Sequence, residues 1–187
     1  NMTDNTGIYL EGELEGGGAG LFILVQSNLA PISVRRNTIT DNDSEWQGGG
    51  IYLNSLGSVT VEDNTISNNS ADKDGGGIYC ESSSPTITSN EINGNSATGN
   101  GGGIYCKDSE NAIIEDNTIS SNSATVDGGG VYSDNSSPTL TNNLINSNSA
   151  NNNGGAVNCT NGSAAIDGGE IKNNTASKYG GGVYGYY

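Results

Sequence analysis

The chain has 187 residues, of which 30 are glycine, 21 are Asp or Glu and only six are Lys or Arg, so its formal net charge is −15. Such an acidic surface repels nucleic acid and anionic lipid, which argues against a polyanion-binding role. The most apolar stretch, from Leu21 to Val25, is five residues long and is too short to span a membrane.

Residues 1–33 fit no regular pattern, and we expect them to form an irregular N-terminal coil or coils. Gly7-Ile8-Tyr9-Leu10 has the character of a strand, but it lies 43 residues before its counterpart in the regular part of the chain. The segment from Glu11 to Leu29 is therefore expected to hold an irregular coil or an insertion. No signal peptide is evident at Asn1, so we interpret the chain as a mature or excised piece.

Residues 34–187 form a regular repeat, marked by a glycine-rich triplet every 26 or 27 residues. The triplets begin at Gly48, Gly75, Gly101, Gly128, Gly154 and Gly180. An apolar residue follows each triplet, at Ile51, Ile78, Ile104, Val131, Val157 and Val183. Two more apolar columns keep the same step: Val34, Val61, Ile87, Ile114, Leu140 and Ile166, and then Ile39, Ile66, Ile92, Ile119, Ile145 and Ile171. Each repeat thus predicts three short strands separated by polar turns.

Strands of equal phase have to pair with the coils above and below them, in parallel and about 4.8 Å apart. The sequence therefore predicts an all-β fold, a right-handed parallel β-helix of about six to seven coils. A helical repeat is excluded because each glycine would destabilise it by about 1 kcal/mol. The last strand, which begins at Val183, is followed by no capping element, so we expect this end to be uncapped.

In each strand after a glycine triplet, alternation places the Tyr side chains outward. The outward ladder consists of Tyr52, Tyr79, Tyr105, Tyr132 and Tyr184. The inward column of the same strands is Leu53, Cys80, Cys106, Ser133 and Cys159. An exposed row of aromatic rings can stack on sugars or pack against a neighbouring rod, and it can equally serve to stabilise the strands. The ladder is the predicted interaction surface.

Two columns of asparagine flank the third strand of each repeat. The first contains Asn37, Asn64, Asn90, Asn117 and Asn143, and the second contains Asn42, Asn69, Asn95, Asn122, Asn148 and Asn174. Asparagine tolerates left-handed turns and can bond to the same residue one coil away. Both columns are therefore predicted to be structural ladders.

Catalytic chemistry finds no support in the sequence. The chain has no His, and its two arginines, Arg35 and Arg36, have no clustered Asp in phase with them. General acid–base catalysis needs carboxylates held at a fixed separation in a cleft. We expect no catalytic residues and no enzymatic activity.

Calcium binding and disulfide formation are the two remaining alternatives to a purely structural role for the acidic residues and the cysteines. Asp72, Asp74 and Asp127 precede glycine triplets and are candidate Ca²⁺ ligands, although the nine-residue calcium-binding roll is absent. The expected state has no metal and no cofactor, with Ca²⁺ as the open alternative. Cys80 and Cys106 lie on neighbouring coils, where a disulfide is sterically allowed, but buried free thiols are the simpler interpretation.

The repeat of this chain resembles that of one known protein family. The pattern Gly-Gly-(Gly/Ala)-(Ile/Val) followed by Ile-x-x-Asn, as in Ile66-Ser67-Asn68-Asn69, resembles the repeats of polymorphic outer-membrane proteins, within the broader pectate-lyase-like β-helix class. Ile stands where that family has Phe. The resemblance covers about residues 34–184 and implies a cell-surface or secreted passenger.

The expected function follows from this resemblance and from the missing catalytic groups. We expect an extracellular structural solenoid, either the subunit of a surface filament or the stalk of an adhesin-type passenger. Its partners would be other copies of itself, end to end or side by side, or a glycan or cell surface. The alternative is a carbohydrate-binding or polysaccharide-degrading β-helix, because the broader class includes pectate lyases and polygalacturonases.

Overall fold

The computed structural model describes residues 20–25 and 31–186, which form a solenoid of parallel strands in four sheets. The first sheet contains Leu21–Val25, Ile51–Ser55, Ile78–Glu81, Ile104–Lys107, Val131–Asp134, Val157–Thr160 and Val183–Tyr186. The second sheet contains Ile32–Arg35, Val59–Glu62, Thr86–Thr88, Ile113–Glu115, Thr139–Thr141 and Ala165–Asp167. The third contains Thr38–Thr40, Thr65–Ser67, Glu91–Asn93, Thr118–Ser120, Leu144–Asn146 and Glu170–Lys172. The fourth contains Asp43–Ser44, Ser70–Ala71, Ser96–Ala97, Ser123–Ala124, Ser149–Ala150 and Thr175–Ala176.

Successive strands of each sheet come from successive coils and pair in parallel, in register. Ile78, for example, lies opposite Ile51 on one side and Ile104 on the other. The parallel solenoid predicted from the repeat is confirmed. Each regular coil has four strands where the sequence predicted three, because two residues such as Ser70–Ala71 are too few to show an alternating pattern.

The interior of the solenoid is one continuous apolar core. The inward columns predicted from the repeat are buried, and residues such as Ile87, Ile114 and Leu53 have 0% of their surface exposed. The predicted inward column of Cys80, Cys106 and Ser133 is equally buried.

The glycine triplets turn the chain from the fourth sheet into the first sheet. The first glycine of a triplet adopts a left-handed conformation, as at Gly75 with φ +68°, which glycine tolerates without strain. A Cβ on the second glycine, Gly76, would collide with the backbone carbonyl of Ser96 one coil away. A Cβ on the third glycine, Gly77, would collide with the carbonyl oxygen of Gly103 at 2.6 Å, although alanine, Ala156, occupies the third position of the fifth triplet.

Much of the N-terminal region predicted to be irregular lies outside the described residues, including Gly7 to Leu10 and most of the segment from Glu11 to Leu29. Within that region, Leu21–Val25 is the first described strand of the first sheet, and Leu21 pairs with Ile51. This step is longer than the 26 or 27 residues of the later coils. It places Phe22 directly beside Tyr52.

At the opposite end of the described chain, the inward columns are open to solvent. Ile166 is 40% exposed and Val183 is 47% exposed. Across residues 20–25 and 31–186, no helix has the length and apolar character needed to cross a bilayer.

Candidate functional site: the tyrosine ladder and its edges

The outward face of the first sheet carries a stack of aromatic rings. The centroids of neighbouring rings lie 4.6 Å apart for Phe22 and Tyr52, 5.4 Å for Tyr52 and Tyr79, 5.1 Å for Tyr79 and Tyr105, and 4.9 Å for Tyr105 and Tyr132. The rings form a cluster of their own, separate from the interior core. Their outward direction was predicted correctly.

The predicted exposure of this ladder is wrong for three of its five members. Tyr79, Tyr105 and Tyr132 have only 2%, 5% and 9% of their surface exposed, because each ring packs against rings from the coils above and below. Tyr52 and Tyr184 are partly exposed. Most of the ladder therefore stabilises the sheet and offers little area to a partner.

The tyrosine hydroxyls bond to polar side chains of the following coil. Tyr52 Oη donates a hydrogen bond to Glu81 Oε2 at 3.1 Å, and Thr160 Oγ1 donates to Tyr132 Oη at 2.8 Å. Glu81 also pairs with Lys107, at 2.6 Å between Oε1 and Nζ. Burial, more than any neighbouring charge, raises the pKa values of the phenols.

A mixed column of Asp and Asn runs along the other edge of the ladder. Asp74 Oδ1 accepts the backbone N–H of Asn100 at 2.7 Å, Asn100 Oδ1 accepts that of Asp127 at 3.2 Å, and Asp127 Oδ1 accepts that of Asn153 at 2.7 Å. Sequence reasoning missed this column, although all four residues directly precede glycine triplets. Two of the calcium candidates, Asp74 and Asp127, thus have a structural use.

The third calcium candidate, Asp72, is exposed and lies outside this mixed column. Among the described residues, no group of three or more His, Cys, Asp or Glu side chains is close enough to hold a metal ion. Calcium binding through clustered carboxylates stays a prediction without structural support.

The two asparagine ladders are present as predicted, and all of their members except Asn42 and Asn174 are buried. Asn95 is representative: its backbone N–H and its Nδ2 both donate to Asn122 Oδ1, each at 2.9 Å. Its Nδ2 also donates to the carbonyl of Ile66 at 2.9 Å. The same pattern repeats along both columns. Between the ends of the two columns, the amide groups are therefore used to join the coils and serve the fold.

The three cysteines are buried and unbridged. A hydrogen bond with Cys106, together with burial, raises the pKa of the Cys80 thiol well above its ordinary value. A thiol in this state is a poor nucleophile. The interpretation of Cys80 and Cys106 as buried free thiols agrees with the structure.

The arginines and the surface near them offer no obvious catalytic arrangement. Arg35 forms an ion pair with Glu62 at 2.9 Å, and Arg36 lies in a turn with φ +55°. A shallow depression nearby is lined by Gly20, Leu21, Asn37, Thr38, Ile39, Thr40 and Asn42. This lining contains no acid or base suited to proton transfer.

Comparison with known proteins gives one match. A family model described as a right-handed beta helix region matches residues 13–176, which agrees with the predicted handedness. No curated protein and no solved structure matches the chain.

Proposed function

The chain belongs to the right-handed β-helix family, and from that premise we propose that it is a non-catalytic, extracellular structural solenoid. Its role is that of a surface element, either the subunit of a filament or the stalk of an adhesin-type passenger. The observation that carries this proposal is the extent to which polar and aromatic side chains are used to join one coil to the next.

The repeating side chains that could form a binding face instead bond to, or pack against, their counterparts in neighbouring coils. The asparagine ladders are buried except at Asn42 and Asn174, and the middle of the tyrosine ladder is buried. The Asp and Asn residues before the glycine triplets bond from coil to coil. A rod with this many contacts between coils is suited to a mechanical or spacing role, since every coil stabilises its neighbours.

Location at the cell surface is supported by the repeat itself. Gly-Gly-(Gly/Ala)-(Ile/Val) and Ile-x-x-Asn resemble the repeats of polymorphic outer-membrane proteins, which implies a surface passenger. A net charge of −15 would keep such rods soluble and apart from anionic surfaces.

A screen of polysaccharides tests the non-catalytic part of the proposal. Purified chain would be incubated with acidic glycans such as polygalacturonate and with neutral glycans, with and without Ca²⁺, and the products examined for new reducing ends and for unsaturated sugars. We expect no release of oligosaccharides. Depolymerisation that is lost in the variant Arg35→Ala would instead identify the chain as a polysaccharide-degrading β-helix.

Electron microscopy distinguishes the filament from the stalk. At neutral pH and high protein concentration, a filament subunit gives rods that lengthen by end-to-end association. A stalk gives uniform rods of one length. Globular particles without a long axis would contradict both forms of the proposal.

A further inference from the structure

The tyrosine ladder is interrupted at Asn158, and the interruption leaves a buried oxygen unpaired. Asn158 occupies the ladder position between Tyr132 and Tyr184. Only 1% of its surface is exposed, and within the described part of the chain its Oδ1 has no hydrogen-bond donor. A buried carbonyl oxygen without a partner destabilises a fold, so an occupant from outside the chain is expected to meet it.

A second buried oxygen of the same coil is also unpaired. Asn153 Oδ1 is also buried and lacks a donor among the described residues. The two side chains are neighbours, because Asn158 Nδ2 donates to the backbone carbonyl of Asn153 at 3.4 Å. The described chain has two more such atoms, Asn37 Oδ1 and Ser83 Oγ, and these belong to other coils.

The carboxylate of Asp127 bonds to the backbone of Asn153. Asp127 Oδ1 accepts the backbone N–H of Asn153 at 2.7 Å. The charge of Asp127 also reaches the ladder: burial raises the pKa of Tyr132 most, and the carboxylates of Asp134 and Asp127 raise it further. One carboxylate and two buried amide side chains are thus linked by hydrogen bonds beside the ladder position where asparagine stands in place of tyrosine.

Two coils earlier, the same Asp and Asn pair lies beside the ladder, but the ladder position holds an aromatic ring. Asp74 and Asn100 match Asp127 and Asn153 in sequence position and in hydrogen bonding. There, however, the ladder position carries the aromatic ring of Tyr105, which packs against its neighbours. At Asn158 asparagine replaces tyrosine, so this coil lacks the aromatic ring.

We propose that Asp127, Asn153 and Asn158 bind a hard cation such as Ca²⁺. Ca²⁺ prefers carboxylate and amide carbonyl oxygens and completes its shell with backbone carbonyls and water. The net charge of −15 raises the local concentration of cations. The competing occupant is a buried water molecule, which could donate hydrogen bonds to both amide oxygens. The site uses one of the three aspartates predicted from the sequence and leaves out Asp72 and Asp74.

Terbium luminescence tests this site, because Tb³⁺ replaces Ca²⁺ and is sensitised by nearby tyrosine rings such as Tyr132 and Tyr184. The full chain would be stripped with a chelator, titrated with Tb³⁺ under tyrosine excitation, and then competed with Ca²⁺. We expect saturable luminescence that Ca²⁺ abolishes. Asp127→Asn and Asn158→Tyr, which restores the aromatic ladder, should each weaken binding by about tenfold or more.

Two further variants distinguish binding at this site from unspecific binding of cations to the acidic surface. Asp74→Asn, the matched control two coils away, should leave the affinity unchanged. Asn158→Asp should tighten it, because it adds a second carboxylate at the same place. The proposal is overturned if Tb³⁺ gives no signal that Ca²⁺ displaces, which would leave a buried water as the occupant. Equal losses in Asp74→Asn and Asp127→Asn would overturn it as well, since they indicate unspecific binding to acidic surface.

Discussion

Each buried asparagine of the ladders joins three segments of chain at once. Asn95 accepts from the backbone N–H and the Nδ2 of Asn69, each at 3.0 Å, and donates to the coil on the other side and to Ile66. A hydrogen bond within a protein contributes modestly to stability, but a buried group that loses its partner is costly. The ladders are therefore expected to contribute far more to stability than exposed asparagines do.

Asn95→Ala tests this expectation. The substitution removes the acceptor of the Asn69 backbone N–H and Nδ2 and the side-chain donor to Asn122 Oδ1 and to the carbonyl of Ile66. We expect it to lower the free energy of unfolding by about 3 kcal/mol or more. Urea unfolding followed by circular dichroism measures the change. Asn151→Ala is the matched control, because Asn151 is exposed, and its effect should stay within about 0.5 kcal/mol. Equal effects of the two substitutions would contradict the ladder's role.

The period of the sequence was enough to predict the asparagine ladders, because the same residue returns at every step. It did not reveal the column of Asp74, Asn100, Asp127 and Asn153, since the residue type alternates along it. The burial of Tyr79 was also missed, because an outward side chain becomes buried only through packing against other outward side chains. Periodicity gives a direction for each side chain, but its exposure depends on the size of its neighbours.

At the scale of elements, the first sheet differs from the other three because both of its faces are packed. Its inward face joins the core, and its outward face carries the stacked rings. The corner before it, formed by the glycine triplets, brings backbone from adjacent coils into close contact. Because of these two features, we expect small changes in the side chains of this sheet to lower the free energy of unfolding.

Alkaline pH should unfold the chain through the buried tyrosines. The folded state raises the pKa of Tyr79 and Tyr105 above the usual value of 10.0, so their contribution to stability is complete below pH 10 and is lost as the pH rises above it. Each tyrosine makes the free energy of unfolding fall by about 1.4 kcal/mol per pH unit in that range. Urea unfolding at a series of alkaline pH values measures the slope.

Tyr79→Phe provides the control for this pH dependence. Phenylalanine keeps the ring stacked, and within the described residues the hydroxyl of Tyr79 makes no hydrogen bond that would be lost. We expect the variant to reduce the slope above pH 10 while leaving stability at neutral pH nearly unchanged. An unchanged slope would show that Tyr79 ionises as readily in the folded chain as in the unfolded chain.

Alanine substitutions at neighbouring glycines test the corner. Gly129→Ala would place a Cβ against the carbonyls of Ser149 and Gly155, and we expect it to destabilise the chain by about 3 kcal/mol or more. Gly130→Ala should cost less, because its Cβ would collide with one backbone atom, the carbonyl oxygen of Ala156 at 2.6 Å, and because the next coil has alanine at the matching position. Thermal unfolding compares the two. A larger loss for Gly130→Ala would mean that the corner is shaped by other contacts.

At the scale of the whole molecule, the coils form a linear array in which each contacts only its neighbours. Stability in such arrays is a sum of local terms, and poorly covered coils open first. The last coil has its inward columns exposed, with Ile166 at 40%, whereas Ile87 and Ile92 in an interior coil are fully buried.

Hydrogen exchange of the 187-residue chain should follow this gradient. We expect backbone amides of Ala165–Asp167 and Val183–Tyr186 to exchange faster than those of Thr86–Thr88 by orders of magnitude, because local opening of a peripheral coil requires less free energy than global unfolding. Exchange followed by mass spectrometry of peptides gives the comparison. Uniform protection along the rod would indicate a single cooperative unit.

Immunogold labelling of intact source cells most directly tests the central claim, that this ladder-bonded solenoid is a structural element of the cell surface. Antibodies raised against the folded chain would be applied before and after permeabilisation and imaged by electron microscopy. The account predicts gold particles on unpermeabilised cells, in association with surface filaments or stalks. Labelling that occurs only after permeabilisation would contradict it.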